Sequence, residues 1–123
     1  MKAGVEHIVP LSEAAVKLLR RVKPVELAPN STIFAVAGVA RSNMAMSMLL
    51  RRMKRNDVTV HGFPSSFREW AGDTTRVPRE LIEQALAHTV QNKVERAYRR
   101  GTAVERRREL MNAWATLLCL DRT

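Results

Sequence analysis

Apolar residues recur along most of the chain at intervals of three and four positions, which is the spacing of amphipathic helices. The segment EAAVKLLRRVK has its apolar side chains on one face, and Ser12 before it is a good N-cap. A second helix, over MAMSMLLRRMKR, is expected to begin after Ser42 or Asn43. Pro64 fits the first turn of a third helix, over SSFREWAG, which Gly72 is expected to close. Further helices are predicted over RELIEQALAHTV, KVERAYRR and AVERRRELMNAWATLLCL.

Extended structure is predicted only near the N-terminus. VEHIVPLS alternates like a short strand through Val5, His7 and Val9, and Pro10 ends it. TIFAVAG, after the proline-containing connection, is expected to form a short extended or buried segment. The pattern therefore predicts one domain over residues 1–123 that is mostly α with a small N-terminal β element.

Two groups of residues are expected in the core. Met44, Met46, Met48 and Met53 form a stripe in the second predicted helix, and methionine commonly fills irregular core space. The only cysteine, Cys119, lies in the apolar run WATLLCL, which predicts a buried, reduced thiol. No apolar run approaches the ~20 residues of a membrane-spanning helix, and together with the single cysteine this predicts a cytoplasmic protein.

Positive charge adds the first indication of function. The chain has 21 Lys and Arg against 12 Asp and Glu, a formal net charge of +9. The excess is clustered in RRMKR, in YRR and in ERRREL. Such clusters attract a polyanion, of which nucleic acid is the commonest. Solvated helix faces are the simpler alternative, but clustering on several separate elements favours nucleic acid.

A few residues could carry chemistry. Tyr98, the only tyrosine, stands between Arg96 and the pair Arg99 and Arg100, and neighbouring cations favour phenolate. His61 and His88 are candidates for proton transfer or phosphate binding, because imidazole titrates near neutrality. Taken singly, each is more often an ordinary packed or capping side chain. The sequence contains no metal-ligand spacing, glycine-rich phosphate loop or nucleophile elbow.

The order of three motifs is more informative. HGFP at His61, LAHT at His88 and AYRR at Tyr98 together resemble the C-terminal part of the catalytic domain of tyrosine recombinases, the phage-type integrases. MKAGVEHIVPLS resembles the β-hairpin strand of that family, and SNMAMSMLLRRM the helix before the histidine motif. The stretch VERAYRRGTAVERRRELMNAWA is similar to integrases of prophages and genomic islands.

The resemblance implies a partial DNA breaking-rejoining fold and its chemistry. In that family the tyrosine attacks a DNA phosphodiester and forms a 3′-phosphotyrosyl bond, so no metal or cofactor is required. Tyr98 matches the nucleophile, His61 opens the His-x-x-Arg motif, and His88 matches the Leu-Gly-His motif with Ala87 in place of glycine. Lys2 is placed like the β-hairpin lysine. Candidate contacts to the phosphates of double-stranded DNA are Arg51, Arg52, Arg55, Arg96, Arg99 and Arg100.

One part of the family pattern is replaced. Pro64 stands where His-x-x-Arg has its arginine. The other arginine of the family belongs to a segment upstream of the hairpin, and the family's arm-binding and core-binding domains also lie upstream. Losing one preorganised donor typically costs about 10²–10³ in rate. Arg68 begins ~6 Å further along the helix axis and is not expected to substitute. The chain alone is therefore expected to be inactive in strand cleavage.

Three interpretations follow. The first is a truncated, degenerate integrase catalytic domain that still binds DNA. The second is a non-enzymatic basic module that binds DNA or protein and modulates a full-length recombinase. The third is a gene remnant without a selected function. Under the first, apolar surface that normally packs against the absent segments would be exposed, which predicts self-association or poor solubility.

Overall fold

The computed structural model describes residues 7–23, 28–88 and 102–119. These ranges contain helices and one small antiparallel sheet, so the expected fold class, mostly α with a small β element near the N-terminus, is confirmed. In chain order the elements are α1 (Glu13–Val22), β1 (Ala35–Val36), β2 (Val39–Ala40), α2 (Ala45–Arg52), α3 (Gly62–Thr74), α4 (Arg79–Ala85) and α5 (Thr102–Cys119). None of these helices is long and apolar enough to cross a lipid bilayer.

The chain divides into two compact units. We call Ala14–Phe63 the basic unit, and Met1–Glu13 together with Pro64–Thr123 the core unit. The basic unit contains nine Lys and Arg against two Asp and Glu, a formal charge of +7. The core unit contains twelve against ten, a formal charge of +2. Most of the excess positive charge therefore lies in the basic unit.

A hydrophobic cluster joins three helices of the core unit. Phe67 and Ala71 of α3 are one helical turn apart, and they pack with Ile82 of α4 and Leu110 of α5. Trp70 and Trp114 border this cluster, with ring centroids 5.0 Å apart. The Phe67 ring meets Trp114 edge to face at 5.5 Å, a geometry that aromatic quadrupoles favour. This cluster fixes α3 and α4 relative to each other, and with them the side chains near the end of α4.

The N-terminal segment of the core unit is tied to α5 by a buried arginine. Arg107 is 8% exposed, and its Nη1 donates a hydrogen bond of 2.7 Å to the carbonyl oxygen of Ile8. Burial lowers the pKa of Arg107 from its ordinary value. The described part of the predicted N-terminal strand, residues 7–10, does not form a strand. The Arg107 side chain therefore connects the described part of this segment to α5.

The β element forms instead in the basic unit, within the segment expected to be extended. Val36 pairs with Val39 and Ala35 with Ala40. The two residues between the strands, Ala37 and Gly38, have φ values of +50° and +76°. A two-residue hairpin loop with both φ values positive is a type I′ turn, which matches the twist of the strands.

The methionine stripe was expected in the core, and this prediction is wrong. Met44, Met46, Met48 and Met53 are 42–59% exposed, and no residue of α2 is buried. Apolar spacing identifies the apolar face of a helix, but it does not show whether another element covers that face. Cys119 is likewise exposed, not buried. It lies at the end of α5, where Leu117 and Leu118 are exposed as well.

The helix boundaries also differ from the expected ones. Met44 occupies the N-cap position of α2 and makes no side-chain cap, so neither Ser42 nor Asn43 is the cap residue. α3 continues to Thr74, past Gly72. α1 begins directly after Ser12, as expected. The helix predicted over KVERAYRR lies outside the described residues.

Candidate functional site

His88 lies just past the C-terminus of α4, in a turn that reverses the chain. Its backbone N–H bonds to the Glu83 carbonyl at 2.9 Å, and the Ala87 N–H bonds to the Gln84 carbonyl at 3.0 Å. Ala87 has a φ of +56°. These three features define a Schellman motif, whose left-handed position is usually glycine. Ala87, which stands at the glycine position of the Leu-Gly-His motif that this segment resembles, is therefore left-handed in this chain.

The side chain of Glu83 connects His88 to α3. Glu83 is 8% exposed, and its Oε2 lies 2.5 Å from His88 Nδ1. Its other oxygen, Oε1, lies 3.8 Å from Nη1 of Arg68 and is buried without a hydrogen-bond partner among the residues that the structure describes. The side chains of His88 and Arg68 are 45% and 51% exposed. A buried carboxylate thus lies between two half-exposed groups that can bind an anion.

His61 occupies the turn before α3. The backbone N–H of Gly62 bonds to the carbonyl oxygen of Thr59 at 3.0 Å and to its Oγ1 at 3.1 Å. A Cβ at residue 62 would lie 3.3 Å from that Oγ1, so glycine permits this close approach. Pro64 lies in the first turn of α3, as expected, where its missing N–H would have no partner within the helix. Proline fits the backbone here but supplies no guanidinium group to a phosphate.

The arginines of the RRMKR cluster lie together at the end of α2. Arg51 and Arg52 are its last two residues, and both are exposed. Lys54 has a φ of +56°, and the Arg55 N–H bonds to the Leu50 carbonyl at 2.9 Å, so α2 also ends in a Schellman motif. This turn gathers three candidate phosphate contacts into one exposed segment of the basic unit.

Arg55 forms an ion pair with a carboxylate two positions further along the chain. Its Nε and Nη2 donate to the two carboxylate oxygens of Asp57 at 2.8 and 2.7 Å. This bidentate hydrogen bonding lowers the pKa of Asp57 to about 2. At neutral pH the pair is therefore fully charged. A DNA phosphate would have to compete with Asp57 for this guanidinium group.

The remaining candidates lie outside the described residues. They are Lys2, Arg96, Tyr98, Arg99 and Arg100, and their roles stay predictions. His61 belongs to the basic unit and His88 to the core unit. Within the described ranges, no three His, Cys, Asp or Glu side chains are grouped as metal ligands.

The sequence interpretation did not identify Glu83 or a role for Arg68. The available signal was an acidic residue directly after the apolar pair Leu81 and Ile82, both of which are buried. An acid inside an apolar stretch usually needs a partner. The pattern did not reveal that the partner is a histidine five positions later, because the chain reverses direction between them.

Comparison with known proteins gave integrases of phages and prophages. Prophage integrase IntA of Escherichia coli (strain K12) is 32% identical over 123 residues, covering 96% of this chain. The integrase of Enterobacteria phage P4 is 31% identical over 129 residues and covers 99% of it. Prophage integrase IntS of Escherichia coli (strain K12) is 27% identical over 128 residues. The chain spans 29–31% of the length of these curated relatives. No family model and no solved structure matched.

Proposed function

Because the chain is related to phage and prophage integrases over nearly all of its length, we propose that it acts in site-specific DNA recombination. In this proposal residues 1–123 form the C-terminal portion of a tyrosine-type integrase catalytic domain. Double-stranded DNA is the partner, at the nucleoid in the bacterial cytoplasm. The observation that supports DNA binding most directly is the charge of +7 in the basic unit.

DNA binding would use the exposed cations of the basic unit. Lys17, Arg20 and Arg21 are exposed on α1, and Arg51 and Arg52 are exposed on α2. Contacts of this kind displace counterions from DNA, so affinity falls steeply with salt and depends little on base sequence. The test is binding to a duplex of arbitrary sequence at several salt concentrations. An absence of binding at low salt would contradict this part of the proposal.

The proposed chemistry follows from the resemblance of the tyrosine motif. The Tyr98 oxygen would attack the phosphorus and form a phosphotyrosyl bond, while the bond from phosphorus to the 5′-oxygen breaks and that oxygen takes a proton. Arginine donors would stabilise the charge that develops on the non-bridging oxygens. Pro64 provides no such donor, so we propose that the 123 residues acting alone are impaired in cleavage.

A nicked suicide duplex tests the chemistry, because the cleaved end diffuses away and a covalent protein–DNA adduct accumulates. We expect no adduct from the wild-type chain alone. Pro64→Arg should increase adduct formation by about 10²–10³, and adding Tyr98→Phe should abolish it. A wild-type adduct that Tyr98→Phe removes would show that the chain does not need the arginine. If Pro64→Arg binds DNA but forms no more adduct than the wild-type chain, the missing guanidinium group at position 64 is not what limits cleavage, and that part of the proposal fails.

A second candidate function is supported by the exposed apolar surface. Met44 at the N-cap of α2, Met46 and Met48 within α2, and Leu117 and Leu118 on α5 are 41–59% exposed. Such surface favours self-association or association with a full-length recombinase, which the chain could then modulate without catalysis. Light scattering over a range of concentrations tests self-association. Co-purification with an intact integrase tests association with a full-length recombinase. A monomer at high concentration that does not bind the integrase would eliminate this candidate.

A further inference from the structure

We propose that Glu83 is a positioning residue for His88. It holds the proton of the neutral imidazole on Nδ1 and leaves Nε2 as the unprotonated ring nitrogen. The proposal extends the proposed function, because a histidine at a phosphate site must present a defined nitrogen to the reacting group. Its physical basis is the contact between the two side chains, which neither the motif nor the relatives' names assign.

Geometry determines which ring nitrogen is engaged. Glu83 Oε2 lies 2.5 Å from His88 Nδ1, within the range of a strong hydrogen bond. An ionised carboxylate such as that of Glu83 can only accept a hydrogen bond, so the donor must be an N–H at Nδ1 of His88. The hydrogen bond made by one imidazole nitrogen determines the protonation of the other. Since Nε2 lies across the ring from Nδ1, it points away from the carboxylate and is free to accept a proton.

Burial and backbone structure make this arrangement specific. Only 11% of the Glu83 side chain is exposed, so water competes little for its carboxylate, whereas 45% of the His88 side chain is exposed. The Schellman motif, with Ala87 at φ +56°, turns the His88 side chain back towards Glu83, five positions earlier. Arg68 supplies a positive charge 3.8 Å from the other carboxylate oxygen, which opposes the cost of burying Glu83.

The test is the tautomer of His88, read from two-bond ¹H–¹⁵N correlation spectra of the intact chain, recorded at alkaline pH where the ring signals no longer change with pH. His88→Gln assigns the ring signals. The wild-type protein should show the proton on Nδ1. In Glu83→Leu the proton should move to Nε2, which is its usual position in a free imidazole. Glu83→Gln retains a carbonyl acceptor and should keep the proton on Nδ1.

Glu80→Leu is the matched control, because it removes an acid from the same helix while His88 Nδ1 is bonded to Glu83. It should leave the tautomer unchanged. A wild-type spectrum with the proton on Nε2 overturns the proposal even if the Glu83 variants do not fold. So does an unchanged tautomer in a folded Glu83→Leu protein. The measurement contains no DNA, so failure of the proposed function, seen as absent DNA binding, is distinguishable from failure of this inference.

Discussion

The core unit and the basic unit use similar kinds of residues in opposite ways. The core unit buries Phe67, Ala71, Ile82 and Leu110 in one cluster, and its formal charge is only +2. Among the described residues of the basic unit none is buried, and its formal charge is +7. Twelve of its large apolar side chains are exposed. Stability is therefore expected to come from the core unit, and binding from the basic unit.

This difference has a physical cause in the distribution of charge. A basic segment can remain compact only if its cations stay solvated or meet an anion, because like charges repel and their burial is costly. Within its eight residues, α2 has exposed apolar side chains, Met46 and Met48, and exposed cationic ones, Arg51 and Arg52. A surface of this composition suits a partner that offers phosphates and some apolar area. The core unit can instead hold polar groups such as Glu83 in fixed positions.

The strongest test of this contrast compares two phenylalanines. Phe67→Ala removes a ring that is 5% exposed and should lower the free energy of unfolding by about 3–5 kcal/mol. Phe34→Ala removes a ring that is 61% exposed and should change it by less than about 0.5 kcal/mol. Urea denaturation followed by circular dichroism measures both. Equal losses would mean that the basic unit contributes to stability as much as the core unit does.

Two neighbouring arginines provide the second test. Arg107→Ala removes the hydrogen bond to the Ile8 carbonyl and leaves that oxygen without its partner, so the free energy of unfolding should fall by about 1.5–3 kcal/mol. Arg108→Ala removes an exposed pair with Glu105 at 3.2 Å and should cost less than about 0.5 kcal/mol. The same denaturation experiment compares the two variants. Similar values would show that the Arg107 contact does not hold the N-terminal segment.

Helical spacing allowed the helices of the described residues to be predicted, but it did not allow the burial of their side chains to be predicted. α5 shows why. Its first half looks polar, yet Arg107 and Leu110 are buried there, while Leu118 in the apolar second half is 59% exposed. Burial depends on which element packs against a face, and that contact is not encoded in the spacing of one segment. The methionine stripe of α2 was misassigned for the same reason.

The candidate site could be predicted only where a motif defined it. His88 was found through its motif, whereas Glu83 and Arg68 became evident only once α3 and α4 were packed together. The left-handed position at Lys54 was also hidden, because it is not a glycine, and at Ala87 the glycine of the Leu-Gly-His motif was the only signal. Sequence patterns identify preferred residues at such positions, and here the chain uses residues that are not preferred.

The third test concerns binding. Arg51→Gln with Arg52→Gln should weaken binding to duplex DNA by roughly tenfold and reduce the slope of log affinity against log salt by ~1.8, about 0.9 for each lost phosphate contact. Arg76→Gln with Arg79→Gln removes the same charge from exposed positions of the core unit and should have a smaller effect. Fluorescence anisotropy at several salt concentrations measures both quantities. Equal effects would indicate that total charge, not the basic unit, determines affinity.

The fourth test uses the left-handed residue before His88. Ala87→Gly should raise the free energy of unfolding by about 1 kcal/mol, because glycine adopts a positive φ without steric cost. Ala85→Gly, at the last residue of α4, should instead lower it by up to ~1 kcal/mol. Opposite signs for two identical substitutions would confirm the turn. A loss of stability in Ala87→Gly would contradict the left-handed assignment.

The smallest expected effect comes from releasing Arg55. Asp57→Asn removes the carboxylate that pairs with this arginine, so DNA affinity should rise about two- to fourfold and the salt slope should increase by up to ~0.9. The pKa of Asp57 is lowered from 3.8 to about 2, so the pair is complete above pH 4 and is lost only as the pH falls through about 2. Binding at neutral pH therefore measures the intact pair.

Asp73→Asn, at an exposed position of the core unit, makes the same charge change and should leave the affinity almost unaltered. An equal gain in both variants would show that Asp57 acts through total charge, not by occupying Arg55.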